Sequence, residues 1–191
     1  MGKLITATVL LFAAFAAAAG DKKLLWGDTH LHTNNSFDAI TIGNKSIGPT
    51  EAYRYARGLP VVHPYHGARV QIGTPLDFLV VSDHAEFLGL IRHVYEQGAP
   101  TDGLGPIDTV HAWLSSLAIK TGIDTRWGAL LFGSRLPVAE DPKVAGERIA
   151  EEGLSLGGIP ANSDISRQVW SEITAAADAY NDPGEFTALI G

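Results

Sequence analysis

The sequence predicts an α/β fold with parallel strands. Three short apolar runs carry that expectation, at residues 23–27, 76–81 and 186–190. Helix-like segments separate them, and strand–helix alternation is the pattern of βαβ units. The first two runs lead straight into ionisable residues, Asp28-Thr29-His30 and Ser82-Asp83-His84. Parallel sheets collect functional groups at the C-terminal ends of their strands, so chemistry is expected at those two junctions.

The N-terminus reads as an address. Lys3 precedes an apolar run over residues 4–19, interrupted only by Thr6 and Thr8, and small residues crowd its end. That is the layout of a secretory signal peptide, residues 1–19, with cleavage after Ala19. An uncleaved anchor is the competing reading, but the run is shorter than the roughly 20 residues a bilayer needs. Export predicts a periplasmic or secreted bacterial protein with no stable membrane anchor after cleavage.

The remaining elements follow in order. Residues 23–27 form a short buried strand. Residues 33–48, rich in Asn, Ser and Gly, form a loop. A helix begins near Pro49, with Thr50 as N-cap and Glu51 at its positive end, and stops at Gly58 before Pro60. Residues 61–72 suggest a hairpin. Residues 76–81 are the clearest strand, almost continuously apolar, as a strand buried on both faces would be. A helix is expected over 85–97 and closes at Gly98. After a Gly/Pro loop, Asp108 caps a helix over about 109–120 that Gly122 ends. Residues 123–142 read as irregular, 142–152 as a weak helix and 153–163 as a loop. Asp164 or Ser166 opens a strong helix to Tyr180. Asn181-Asp182-Pro183-Gly184 breaks it, and a third buried strand follows. The chain stops at Gly191, directly after that strand, which predicts the N-terminal part of a longer domain spanning 23–191 here.

Composition narrows the function. The chain has 191 residues and a formal net charge of −7, so a nucleic-acid partner is not expected. A 46% hydrophobic content argues against general disorder. Cysteine is absent, which excludes disulfides, thiolate zinc sites and a thiol nucleophile. P-loop, G-x-S-x-G and Rossmann glycine patterns are also missing. Any metal must be held by His, Asp, Glu, backbone or water.

His30 and His32 are two apart at the end of the first strand, where alternate residues share a face. Asp28 has the same parity and could bind an ion or orient a ligand. An H-x-H arises by chance about 0.25 times in a chain with this many His, so the pair alone is weak. Asp83 and His84, at the end of a second apolar strand, strengthen it. Ionisable groups there have little packing value, and Asp38 lies in a loop that could fold back toward them. The set is a candidate metal site.

These residues also resemble a family. Trp26-Gly27-Asp28-Thr29-His30-Leu31-His32-Thr33, Ser36-Phe37-Asp38-Ala39, and Pro75-Leu76-Asp77-Phe78-Leu79-Val80-Val81-Ser82-Asp83-His84-Ala85-Glu86-Phe87-Leu88-Gly89 are similar to the polymerase and histidinol phosphatase (PHP) superfamily. Within it they most resemble the secreted bacterial group termed domain of unknown function 3604 (DUF3604). The likeness is specific over 24–90, weaker over 91–180 and returns at 183–191. It implies a partial (β/α)7 barrel, here its first three strands, with a mainly helical insertion over 91–180. It also implies two or three divalent ions, Zn, Mn or Fe, activating water to hydrolyse a phosphorylated small molecule. His30, His32, Asp38 and His84 match metal-ligand positions, and through them the reaction. Asp38 stands where the family often has His. Asp83 is implied to support His84 as an outer partner. Glu86 could contact a ligand or substrate, or serve a helix dipole. A bridging Glu and later His and Asp ligands are expected beyond residue 191, so this stretch alone is expected to lack a complete site.

Other candidates carry blander readings. His63 and His66 suit a polar surface turn. His93 and His111 suit structural roles within helices. Trp113, Trp127 and Trp170 suit core or insertion packing. The two Asn-x-Ser patterns at Asn34 and Asn44 are discounted as glycosylation sites. The leading expectation is an exported metal-dependent phosphoesterase. The alternatives are a metallohydrolase of other esters or amides, and a non-catalytic metal- or partner-binding module.

Overall fold

A computed structural model describes residues 22–128, 141, 143–144, 147 and 155–191. The expected signal peptide lies outside them, as does most of the expected helix over 142–152. Strand β1 is Gly27–Leu31, helix α1 Phe37–Thr41 and helix α2 Pro49–Ala56. The hairpin β2 (Val61–Val62) and β3 (Arg69–Val70) precedes β4 (Phe78–Val81). Then come α3 (Leu90–Gln97), α4 (Pro106–Thr125), a second hairpin of β5 (Ser155–Leu156) and β6 (Ile159–Pro160), α5 (Ser163–Tyr180) and β7 (Thr187–Ile190).

Three strands form one parallel sheet in the order β1-β4-β7. The second and third fall within the predicted runs, whereas the first begins at Gly27, where the strand expected over 23–27 ends, and carries His30 within it. The chain is therefore a mixed α/β protein with a small parallel sheet. Leu79 and Val81 of β4 are fully buried and face a helical layer. In that layer Ala52, Tyr53 and Ala56 of α2 pack with Val169, Ile173, Ala176 and Ala177 of α5, and Phe186 closes the cluster. Two smaller clusters join α3 to its neighbours. Leu90 and Val94 meet Ala112 and Ile159, while Ile91 meets Ile40 and Ile123. Gly27 allows the closest strand approach, since a Cβ there would lie 2.5 Å from the Phe78 ring and carbonyl.

The structure corrects several expectations. β4 is not buried on both faces: Phe78 and Val80, on the side opposite the helices, are only half-buried. The first and third strands are not buried either. They are the sheet edges, and Leu24, Leu25, Trp26, Leu189 and Ile190 are exposed. An apolar run predicts burial only where a neighbour covers it, and one helical layer covers one face. The loop over 33–48 contains α1. The hairpin over 61–72 is present, pairing Val61 with Val70. Residues 85–89 turn, so α3 starts only at Leu90.

Caps shift as well. Gly48, not Thr50, caps α2, and its N–H donates to the Glu51 carboxylate at 3.2 Å. Gly105 and Pro106 open α4, not Asp108, because proline at the first helical position loses no hydrogen bond. Gly122 lies inside α4, which runs to Thr125. Asn162 caps α5, its side chain accepting from the N–H groups of Asp164 and Ile165. The loop over 153–163 holds the β5–β6 hairpin. Trp113, Trp127 and Trp170 are exposed among the described residues instead of packed in a core.

Candidate metal centre

The loops leaving the C-terminal ends of β1 and β4 lie side by side because the strands are parallel neighbours. Five hydrogen bonds lace them together. The Ser82 N–H donates to the Leu31 carbonyl, and the Gly89 N–H donates to the Asn35 carbonyl, both at 2.9 Å. The Thr33 N–H and hydroxyl both donate to the Asp83 carboxylate, at 2.5 and 2.6 Å. The His84 N–H donates to the Ser36 hydroxyl at 3.1 Å. Thr33 and Ser36 are fully buried, so these bonds are shielded from water.

On this frame His32, Asp38 and His84 converge. One ligand atom from each lies within 4.8 Å of the others. Asp38 Oδ2 sits between the two rings, 2.7 Å from His32 Nδ1 and 3.7 Å from His84 Nε2. The His32 and His84 rings meet edge to face with centroids 4.7 Å apart. Phe37 stacks on the His84 ring with centroids 4.6 Å apart. The sequence of this short loop explains the convergence. α1 begins immediately after Ser36, which turns Asp38 back toward β1.

His30 is not one of the converging three. Its ring stacks on His32 at 4.9 Å. β1 carries a register shift between Asp28 and Leu31. The extra residue breaks the strict alternation from which a shared face for positions 28, 30 and 32 is argued. Asp28 accepts the His30 N–H at 2.9 Å and so braces that bulge. Glu86 places a carboxylate oxygen 3.6 Å from His84 Nδ1.

Electrostatics separates the two aspartates. Burial pushes the Asp83 carboxyl above its ordinary value, and the Thr33 hydrogen bonds only partly oppose it. Burial also works to raise Asp38. There, hydrogen bonds with Ser36 and His32 and from the Ala39 N–H outweigh it and hold the carboxyl below its ordinary value. Asp38 is therefore an anion beside two imidazoles, a donor set suited to a divalent cation.

Sequence reasoning assigned no role to Thr33 or Ser36, although both fall within or beside the motifs quoted above. The available signal was a hydroxyl residue, Thr33, directly after His32 and two positions past the end of β1. Their partners lie about fifty positions away, which local pattern does not reveal. His63 and His66 stack on each other at 4.9 Å in the β2–β3 turn, and the His63 ring accepts the Tyr65 and His66 N–H groups. That is the polar turn expected of them.

The class defined so far is an α/β protein that gathers two imidazoles and one carboxylate at the C-terminal rim of a parallel sheet. The family model described as "Protein of unknown function (DUF3604)" matches residues 19–191, and the chain belongs to that family. Neither the curated proteins nor the solved structures gave a match. No described helix is long and apolar enough to cross a membrane.

Proposed function

We propose that this chain is part of an exported, metal-dependent hydrolase of PHP type, built on a partial (β/α)7 barrel and acting on phosphate esters. The observation that supports this best is the convergence of His32, Asp38 and His84. The donor set fits a divalent ion. Zinc bonds of about 2.0–2.1 Å to N and O donors place neighbouring ligand atoms about 3.3 Å apart in a tetrahedron. The Asp38 distances of 2.7 and 3.7 Å bracket that value. Ion binding would replace the His32–Asp38 hydrogen bond with coordination.

His32, Asp38 and His84 would hold one ion, and the neighbouring His30 would serve a second. Zn, Mn or Fe are the candidates. Bound there, divalent ions supply Lewis-acid charge and bring the pKa of water toward neutrality. The chain's own residues do the positioning. Asp83 locks Thr33 and hence the turn after His32. Glu86 stands where it can hold a proton on His84 Nδ1 and so leave Nε2 free to bind. Phe37 restricts the His84 ring to one face. Donors are half-buried rather than enclosed, which leaves room for a small phosphorylated substrate.

The test is metal content by mass spectrometry, with phosphomonoesterase and diesterase assays on the exported full-length protein supplied with Mn or Zn. His32→Ala and His84→Ala should each lose metal and activity. Unchanged metal content in both variants refutes the site. Metal retention without hydrolysis of any phosphate ester favours the binding module. Hydrolysis confined to carboxylic esters or amides favours the other chemistry.

A further inference from the structure

Ser36 occupies the N-cap position of α1, yet its side chain makes no capping bond to that helix. Serine is favoured at N-caps because its hydroxyl accepts an N–H of the first turn. Here the Asp38 carboxylate takes that task locally, accepting the Ala39 N–H at 2.7 Å. The Ser36 hydroxyl is spent elsewhere. Its oxygen accepts the His84 N–H at 3.1 Å, from the loop that leaves β4. The backbone of Ser36 is also engaged, with its N–H on the Thr33 carbonyl and its carbonyl receiving the Ile40 N–H. The residue is fully buried, so water cannot replace any of these bonds.

We infer that Ser36 is a positioning residue whose one hydroxyl holds the His84 backbone against the loop that carries Asp38. The inference rests on the metal-site reading and deepens it. Asp38 comes from the β1 loop and His84 from the β4 loop. Thr33 and Asp83 fasten the roots of these loops, whereas Ser36, two residues before Asp38, bonds directly to the ligand-bearing His84. Replacing its oxygen by hydrogen leaves the His84 N–H without that acceptor and loosens the placement of His84 relative to Asp38. Orienting groups of this kind are typically worth 10–100-fold in metal affinity.

The experiment compares the wild type, Ser36→Ala and Ser36→Thr as full-length proteins. Zinc affinity is measured by calorimetry, and exchange of the His84 amide by NMR. Circular dichroism monitors folding. S36A should bind zinc 10–100-fold more weakly and exchange the His84 amide faster at unchanged helix content, and S36T should restore both. Wild-type affinity together with a protected His84 amide in S36A overturns the inference. So does a loss that S36T fails to restore, which would indicate packing instead of the hydroxyl. A wild type that binds no zinc, manganese or iron sinks the metal-site reading. The exchange arm still decides about Ser36 in that case, because acceleration at His84 supports its positioning role and protection refutes it.

Discussion

Gly89→Ala should be among the most damaging single-methyl additions to this protein. Gly89 has φ +70°, and a Cβ built on it would lie 2.3 Å from Val169 Cγ2 and 3.2 Å from Val169 Cβ. Val169 is buried within α5, and a β-branched side chain in a helix has one strongly preferred rotamer, so it cannot swing aside. The left-handed backbone costs an alanine about 1–2 kcal/mol. Forcing a methyl into a packed core costs about 1–3 kcal/mol more. Together these give about 2–5 kcal/mol, a large share of the 5–15 kcal/mol typical of a domain. Gly67→Ala is the control. Gly67 has φ +65°, close to that of Gly89, with nothing within 4 Å of its built Cβ, so it carries a backbone cost without the clash. Urea unfolding should place Gly89→Ala well below Gly67→Ala at the same m-value. Equal stabilities within about 0.5 kcal/mol, the noise of ordinary surface changes, would refute the packing argument. The effect should also reach the site, because the Gly89 N–H holds the Asn35 carbonyl beside Ser36.

Further outcomes concern the core, a helix end and the ion. The Tyr53 hydroxyl donates to the Leu189 carbonyl at 2.7 Å, so Tyr53→Phe should cost about 1 kcal/mol in denaturant unfolding. Burial pushes the Tyr53 phenol up to about 12. A folded value above the unfolded one means its contribution is whole below the unfolded pKa of about 10 and fades as pH rises through the folded one. Unfolding measured across that alkaline window should therefore be flatter for Tyr53→Phe than for the wild type. Asn162→Ala removes the two cap bonds of α5 and should cost about 1 kcal/mol in thermal unfolding, whereas Asn162→Asp should cost far less. Zinc at a hundredfold excess over its dissociation constant should stabilise the folded protein by about 2.7 kcal/mol in calorimetry. That gain should vanish with chelator and in His84→Ala.

Much of this architecture was legible because its signals are local. The run over 76–81 is apolar enough to need cover, and it became the central strand. Gly98 closes α3, and the Asn181–Gly184 turn separates α5 from β7, as their backbone chemistry requires. The ionisable residues after two apolar strands marked the rim where His32, Asp38 and His84 meet. Caps were less legible. Thr50 and Asp108 are good N-cap residues, but they are the second and third residues of helices that begin at a proline. Proline overrides a side-chain cap because its fixed φ already suits the first helical position.

The linear chain by itself determined which residue types were available for chemistry and in what order the strands and helices run. Seven histidines without cysteine, beside apolar strands, confine the chemistry to nitrogen and oxygen donors. Only the folded molecule decided that β1 bulges and leaves His30 beside the trio, that the outer strands stay exposed, and that Ser36 serves His84. Each of these depends on contacts between segments some fifty or more residues apart. Periodicity reports which face of an element is apolar, whereas three-dimensional neighbours decide whether that face is covered and which polar atoms find partners.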